Sequence, residues 1–178
     1  MKISVVVPVH NETDNVEALI AEIHQALSSQ EAYEMIFVDD GSTDDTAAKL
    51  QQAMSVYPSL RVLKHAKSCG QSRAVHSGVV AAQYPWIATL DGDGQNDPAD
   101  IPNLVEAYQQ QNDSDLWMLA GFRHQRNDTG WRRFSSKISN IIRQKIFHYS
   151  TPDNGCGLNF FLSDNFLSFT YFYKNNSF

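Results

Sequence analysis

The stretch Asp91-Gly92-Asp93-Gly94-Gln95 gathers two carboxylates and a neutral amide oxygen within five residues. Carboxylates two apart in a turn can converge on one hard cation, and the glycine between them lets the backbone come close to a ligand. An ordinary Asp/Gly surface turn is the alternative, because turns favour the same residues. Two further polar stretches stand earlier, Pro8-Val9-His10-Asn11-Glu12 and Asp39-Asp40-Gly41-Ser42. Gathered at one edge, three acidic clusters would repel one another unless a cation or hydrogen-bond donors occupied the site.

Each cluster follows a segment that reads as a strand. Ile3 to Val7 is apolar without alternation, which suits a strand buried on both faces. Val16, Leu19, Ile20, Ile23 and Leu27 then share one helical face, with Thr13 or Asp14 available as the cap. The pattern continues as a strand at Glu34 to Asp39, a helix from about Asp44 to Met54 and a strand at Arg61 to His65. A helix near Gln71 to Gln83, a strand at Trp86 to Leu90, a helix from Asp97-Pro98 to Gln110 and a strand at Leu116 to Ala120 follow. This βα alternation predicts an α/β fold, an open and mostly parallel sheet with helices on both faces. Ligands of such sheets bind beyond the carboxyl ends of the strands, where all three clusters fall. After a polar loop from Gly121, an amphipathic helix is expected from about Gly130 to Phe147. The aromatic stretch Phe160 to Phe178 has no clear helix or strand pattern.

Composition narrows the function classes. The 178 residues, 42% hydrophobic and 19% charged, suffice for one globular domain, and the net charge of -6 argues against a nucleic-acid surface. Cys69 and Cys156 lack the paired spacing of a zinc site and read as free thiols of a reducing compartment. The apolar run at the amino terminus is too short for a signal peptide or a membrane span. An EF-hand loop starting at Asp91 would need Gly and Glu where Asn96 and Pro102 stand. A phosphoaspartyl hydrolase would carry its nucleophile after the first strand, whereas this pair follows the fourth. Neither a dinucleotide fingerprint nor a P-loop follows a strand.

Val7-Pro8-Val9-His10-Asn11-Glu12, Val38-Asp39-Asp40-Gly41-Ser42, Asp91-Gly92-Asp93-Gly94-Gln95 and Gly121-Phe122-Arg123, in this order, resemble the family 2 glycosyltransferases of GT-A (Rossmann-like) fold. Gln95-Asn96-Asp97-Pro98 and Arg132 to Lys137 are most similar to the dolichol- and polyprenyl-phosphate sugar synthases. The resemblance implies an inverting transfer from a nucleotide-diphospho-sugar to a polyprenyl phosphate. A glycan hydroxyl acceptor, or an inactive nucleotide-sugar-binding remnant, are the alternatives. It also implies that Pro8, His10, Glu12, Val38, Asp40, Asp91 and Gly92 bind the nucleotide-sugar, and that Asp91, Asp93 and Gln95 hold Mg2+ or Mn2+. The family usually has Tyr or Phe at His10, so stacking there would be weaker or pH-sensitive. A surface-turn histidine is the alternative. Arg123 would reach the donor phosphates, with a salt-bridge role as the alternative. Asp93, Arg123 and Asp153 would act at the reaction centre, and Asp153 would equally suit a turn. Lys67, Gly70 and Ala74 resemble the loop after the third strand, without an assigned role.

Arg132 and Ser136 are four apart on the expected helix and share a face, the spacing for gripping one phosphate. Their family counterparts bind the lipid phosphate; a solvated basic face with Arg133 and Lys137, suited to an anionic bilayer, is the other reading. The resemblance implies a cytoplasmic protein, peripheral at the inner face of the cytoplasmic membrane. Residues 1–160 are expected to form the catalytic domain, and residues 161–178 an aromatic tail of a C-terminally shortened chain, because family members carry interfacial helices and a basic loop beyond this point. The oligomeric state, the sugar and the nucleotide are not legible.

Overall fold

The computed structural model describes residues 1–110, 118–120 and 157–168. The unbroken apolar run near the amino terminus forms β1 (Lys2–Val9), whose residues from Ile3 onward are all buried. β2 (Ala32–Asp39) is buried from Glu34 to its end. β1 pairs in parallel with β2 on one side and β4 (Trp86–Thr89) on the other, while β2 pairs in parallel with β3 (Leu60–Lys64). Beyond β4 comes β6 (Asn159–Leu162), antiparallel to β4 and also to β5 (Met118–Ala120), so the sheet order is β3-β2-β1-β4-β6-β5. The expected open, mostly parallel sheet is therefore present.

Helices cover both faces. α3 (Gln71–Ala81) packs on β1 and β2, and its Ala74 and Val79 join Val6, Ile36, Val38, Ile87 and Phe161 in one buried cluster. Because strand side chains alternate, Val5, Val7, Met35 and Phe37 face the other way. On that side α1 (Val16–Leu27) meets α2 (Thr46–Ala53) and α4 (Asp100–Gln110). The five apolar residues expected on one face of α1 are all buried.

Several boundaries differ from expectation for local reasons. Asn15, rather than Thr13 or Asp14, precedes α1, and no side chain caps it. Thr13 is engaged elsewhere, donating its hydroxyl to Asp44 Oδ2 at 2.5 Å. Asp97-Pro98 forms a turn ahead of α4, with the Asp100 and Ile101 amides donating to the carbonyls of residues 97 and 98. β6 corrects the view of the carboxyl-terminal stretch as patternless: it inserts between two strands, crosses the junction of residues 160 and 161, and is followed by a short helix at residues 163–168. Phe166 and Leu167 of that helix pack against the α3 cluster. The helix expected over 130–147, the loop after Gly121 and Cys156 lie outside the described residues.

The amino edge of the sheet is closed by a buried carboxylate. Glu34 accepts from the Ser4 hydroxyl, the Gln83 amide and Arg61 Nη1, each at 2.6 Å. These donors balance a charge that burial would otherwise make costly.

Phe160 is fully buried and stacks on Trp86 with ring centroids 5.3 Å apart. Phe160→Ala is expected to cost about 3–5 kcal/mol, measured by urea unfolding. A loss below about 1 kcal/mol would mean that β6 is not a core strand.

Candidate active site

The carboxyl ends of β1, β2 and β4 open onto a cleft of about 290 Å³ lined by Pro8, Val9, His10, Glu12, Asp40, Gln71, Asp91, Gly92 and Asp93. This volume lies at the low end for small-molecule sites. One wall is the loop after β1. Asn11 takes a left-handed conformation, φ 58°, and its side-chain oxygen accepts from the Thr43 amide at 2.8 Å. Its own amide donates to Ser42 Oγ at 3.0 Å, so the loops after β1 and β2 are tied together. His10 Nδ1 lies 2.9 Å from the Asp40 carbonyl oxygen. A carbonyl only accepts, so Nδ1 carries the proton, and in the neutral ring Nε2 keeps its lone pair.

The adjacent carboxylates at the end of β2 have different surroundings. Asp39 Oδ1 accepts from the Ser42 amide at 2.9 Å, and its buried Oδ2 has no partner among the described residues. Asp40 is surrounded by donors from the loop after β3. The Cys69 amide reaches both oxygens at 2.9 and 3.0 Å, and the Gly70 amide and Ser68 hydroxyl reach Oδ2 at 2.8 Å each. His65 Nδ1 lies 2.6 Å from Oδ1, with its Nε2 3.0 Å from Ser77 Oγ on α3. Burial pushes the Asp40 carboxyl up, but the Cys69 amide, His65, Ser68 and the Gly70 amide together outweigh it and hold the group well below the usual carboxylate range. Gly41, at φ 71°, lies so close to this loop that a Cβ would sit 2.5 Å from the Ser68 nitrogen.

Asp91 and Asp93 follow β4 on the opposite wall. Asp91 is half-buried, and its Oδ1 accepts from Gln71 Nε2 at 2.7 Å, across the cleft from the first residue of α3. Gly92 is buried against Pro8 and Val9, where a Cβ would come within 2.8 Å of the Pro8 carbonyl oxygen. The exposed Asp93 accepts from the Gln95 amide at 3.1 Å. Both residues thus line one cavity, and carboxylate oxygens are the hard donors that Mg2+ or Mn2+ takes. A second group of ligand-type atoms, from Asp40, His65 and Cys69, lies within 4.8 Å of one another. Its imidazole and thiol are softer donors, and the Asp40 oxygens are already engaged, so it fits a hard cation less well.

Of the residues expected in the site, Pro8, His10, Glu12, Asp40, Asp91, Gly92 and Asp93 line the cleft. Val38 does not: it is fully buried beneath α3, because strand alternation puts it on the same face of β2 as Ile36, in the α3 cluster. Gln95 is exposed and outside the lining. Arg123, Arg132, Ser136 and Asp153 lie outside the described residues. Gln71 was not singled out from the sequence; its position at the start of the helix after β3, on the ligand edge, is the signal that would have found it.

An acidic cleft at the carboxyl edge of an open α/β sheet lies where such folds bind their ligands. Residues 4–167 match Glycosyl transferase family 2, and the chain belongs to that family. It is 35% identical over 159 residues to an undecaprenyl-phosphate 4-deoxy-4-formamido-L-arabinose transferase of Pseudomonas savastanoi pv. phaseolicola, covering 88% of this chain and 46% of the relative. It is 34% identical over 161 residues to a dodecaprenyl-phosphate galacturonate synthase of Rhizobium johnstonii, covering 89% and 47%. The chain therefore spans about half the length of these curated relatives. Among solved structures, glucosyl-3-phosphoglycerate synthase from Mycobacterium tuberculosis in complex with UDP aligns with TM-score 0.72 and 20% identity, over 92% of this chain and 57% of that one. A mannosyltransferase from Pyrobaculum calidifontis in complex with GDP-Man and Mn2+ aligns with TM-score 0.65 and 19% identity, over 89% and 44%. These likenesses show the GT-A fold.

The depressed Asp40 group stabilises the fold above its unfolded pKa, near 3.9, and that contribution is lost as pH falls toward the folded value. Asp40→Asn is expected to lose roughly 1–3 kcal/mol at neutral pH and to flatten the acid limb of stability below about pH 5. Urea titrations across pH test this, and parallel acid limbs in the two proteins would remove the assignment.

Proposed function

We propose that this chain is the catalytic domain of an inverting glycosyltransferase that moves a sugar from a nucleotide-diphospho-sugar to a polyprenyl phosphate. The observation that carries the reading is the pair Asp91 and Asp93 facing the cleft of a family 2 sheet. The curated relatives, whose names specify undecaprenyl- and dodecaprenyl-phosphate acceptors, support the acceptor class.

In this reading Pro8, His10, Glu12 and Asp40 line the base and ribose side, while Asp91 and Asp93 hold Mg2+ or Mn2+ against the diphosphate. Gln95 is a third ligand by resemblance. The cation supplies charge neutralisation for the departing nucleotide diphosphate. Arg123 adds a donor to the same phosphates, and Arg132 with Ser136 grips the acceptor phosphate. A phosphate oxygen is already ionised at neutral pH, so the attack needs no general base. Asp153 orients the sugar. The work of the protein is alignment and electrostatic stabilisation, and in-line attack inverts the anomeric carbon. The acceptor sets the reaction at the inner face of the cytoplasmic membrane, with a peripheral protein. Among the described residues no helix is long and apolar enough to cross a membrane.

Radiolabelled UDP- and GDP-sugars incubated with the chain, Mn2+ and undecaprenyl phosphate are expected to yield labelled lipid of inverted configuration. Metal-dependent nucleotide binding with transfer only to a glycan hydroxyl, or with no transfer, would overturn the lipid-acceptor reading. Asp93→Ala is expected to weaken Mn2+-dependent nucleotide-sugar affinity at least about tenfold, close to 1.4 kcal/mol. Unchanged affinity by calorimetry would remove the cation from this pair.

A further inference from the structure

We infer that Gln71 is the positioning residue of the cation ligand Asp91, delivered across the cleft by the loop that Asp40 clamps. The inference rests on the proposed cation site at Asp91 and Asp93.

The chain of contacts is continuous. Asp40, at the end of β2, accepts the amides of Cys69 and Gly70 and the hydroxyl of Ser68, which fixes the backbone at the start of α3. Gly70 enters the helix at φ 90°, and the amides of Arg73 and Ala74 donate to its carbonyl. The next residue is therefore held by this clamp as well as by the packing of α3 on the sheet. That residue is Gln71, and its Nε2 lies 2.7 Å from Asp91 Oδ1.

The amide orientation follows from chemistry. With the amide turned over, a carbonyl oxygen would face a carboxylate oxygen at hydrogen-bond distance, two acceptors in repulsion, so the nitrogen must face Asp91. On the other side, the buried Asn96 points Nδ2 at Asp91 Oδ2 at 3.5 Å. Asp91 is thus braced by one amide from its own turn and one from α3. A carboxylate ordered in advance loses less rotamer entropy when it takes up a cation. Partners that orient a metal ligand typically carry a tenfold to hundredfold share of metal affinity.

Two consequences separate this role from ordinary packing. Gln71 Nε2 is engaged by Asp91, so its removal should weaken metal-dependent binding more than metal-free nucleotide binding. A carboxylate in its place cannot donate and would face the Asp91 carboxylate in repulsion, so it should disorder the ligand as truncation does. A merely structural residue would lower Tm as well.

The test titrates Mn2+ into the 178-residue chain, following the free-ion EPR signal with UDP and, separately, GDP present. A metal-free arm measures nucleotide affinity in EDTA. Gln71→Ala is expected to weaken Mn2+ affinity about tenfold, with a smaller effect on metal-free nucleotide affinity and Tm unchanged, and Gln71→Glu, which cannot donate to Asp91, is expected not to restore it. Unchanged Mn2+ affinity in Gln71→Ala overturns the inference, as does an equal loss in the metal-free arm, which would make Gln71 a nucleotide contact. Asp91→Ala and Asp93→Ala serve as controls. Wild-type Mn2+ affinity in both would show that the cation site itself had failed, and the inference would fall with it.

Discussion

A single carboxylate at the end of β2 organises the ligand edge of this protein. Asp40 is buried, and it collects donors from His65, Ser68, Cys69 and Gly70, all from the loop that leads from β3 into α3. Its own carbonyl meanwhile receives the ring of His10 from the loop after β1. Three strand ends are thereby held by one residue. An anion with several short donors is far more stable ionised than protonated, and that preference fastens loops which would otherwise be free to move.

The same physics explains why the edge tolerates its acids. The structure keeps the charges apart by giving them different partners. Glu34, at the opposite edge of the sheet, is balanced by Arg61, Ser4 and a backbone amide. Asp40 is balanced by the loop beside it, and Asp44 by Thr13 and Thr46. Asp91 takes donors from the Gln71 and Asn96 side chains and Asp93 from the Gln95 amide, and both line the cleft.

Much of this architecture was legible in the amino-acid sequence. The apolar run of β1, the helical period of α1 and the alternation of elements predict the parallel sheet, and the rule that ligands lie at carboxyl ends picks out three of the cleft-forming loops. What escaped was non-local. The insertion of β6 between β4 and β5 joins residues about 70 positions apart, which no local periodicity encodes. Val38 sits among functional-looking neighbours, yet strand alternation turns it into the core. The clamp around Asp40 escaped because its partners are backbone amides and side chains 25 to 30 residues away. Gln71 lies on the same edge, but glutamine carries no charge or spacing that would distinguish it.

The antiparallel course of β6 has a consequence for how such a protein can change. β5 runs in the same direction as β4, so the chain leaves the sheet at the ligand edge after Ala120, and it returns at that edge, where Asn159 sits opposite both Ala120 and Thr89. The return is stitched to the strand that carries the acid pair, because Thr89 donates its hydroxyl to the Gly157 carbonyl at 2.8 Å. The two points are therefore neighbours on one edge of the sheet. The number of residues that join the two ends can therefore change without altering either ladder register. The ladders among β1, β2 and β3 take no part in that junction.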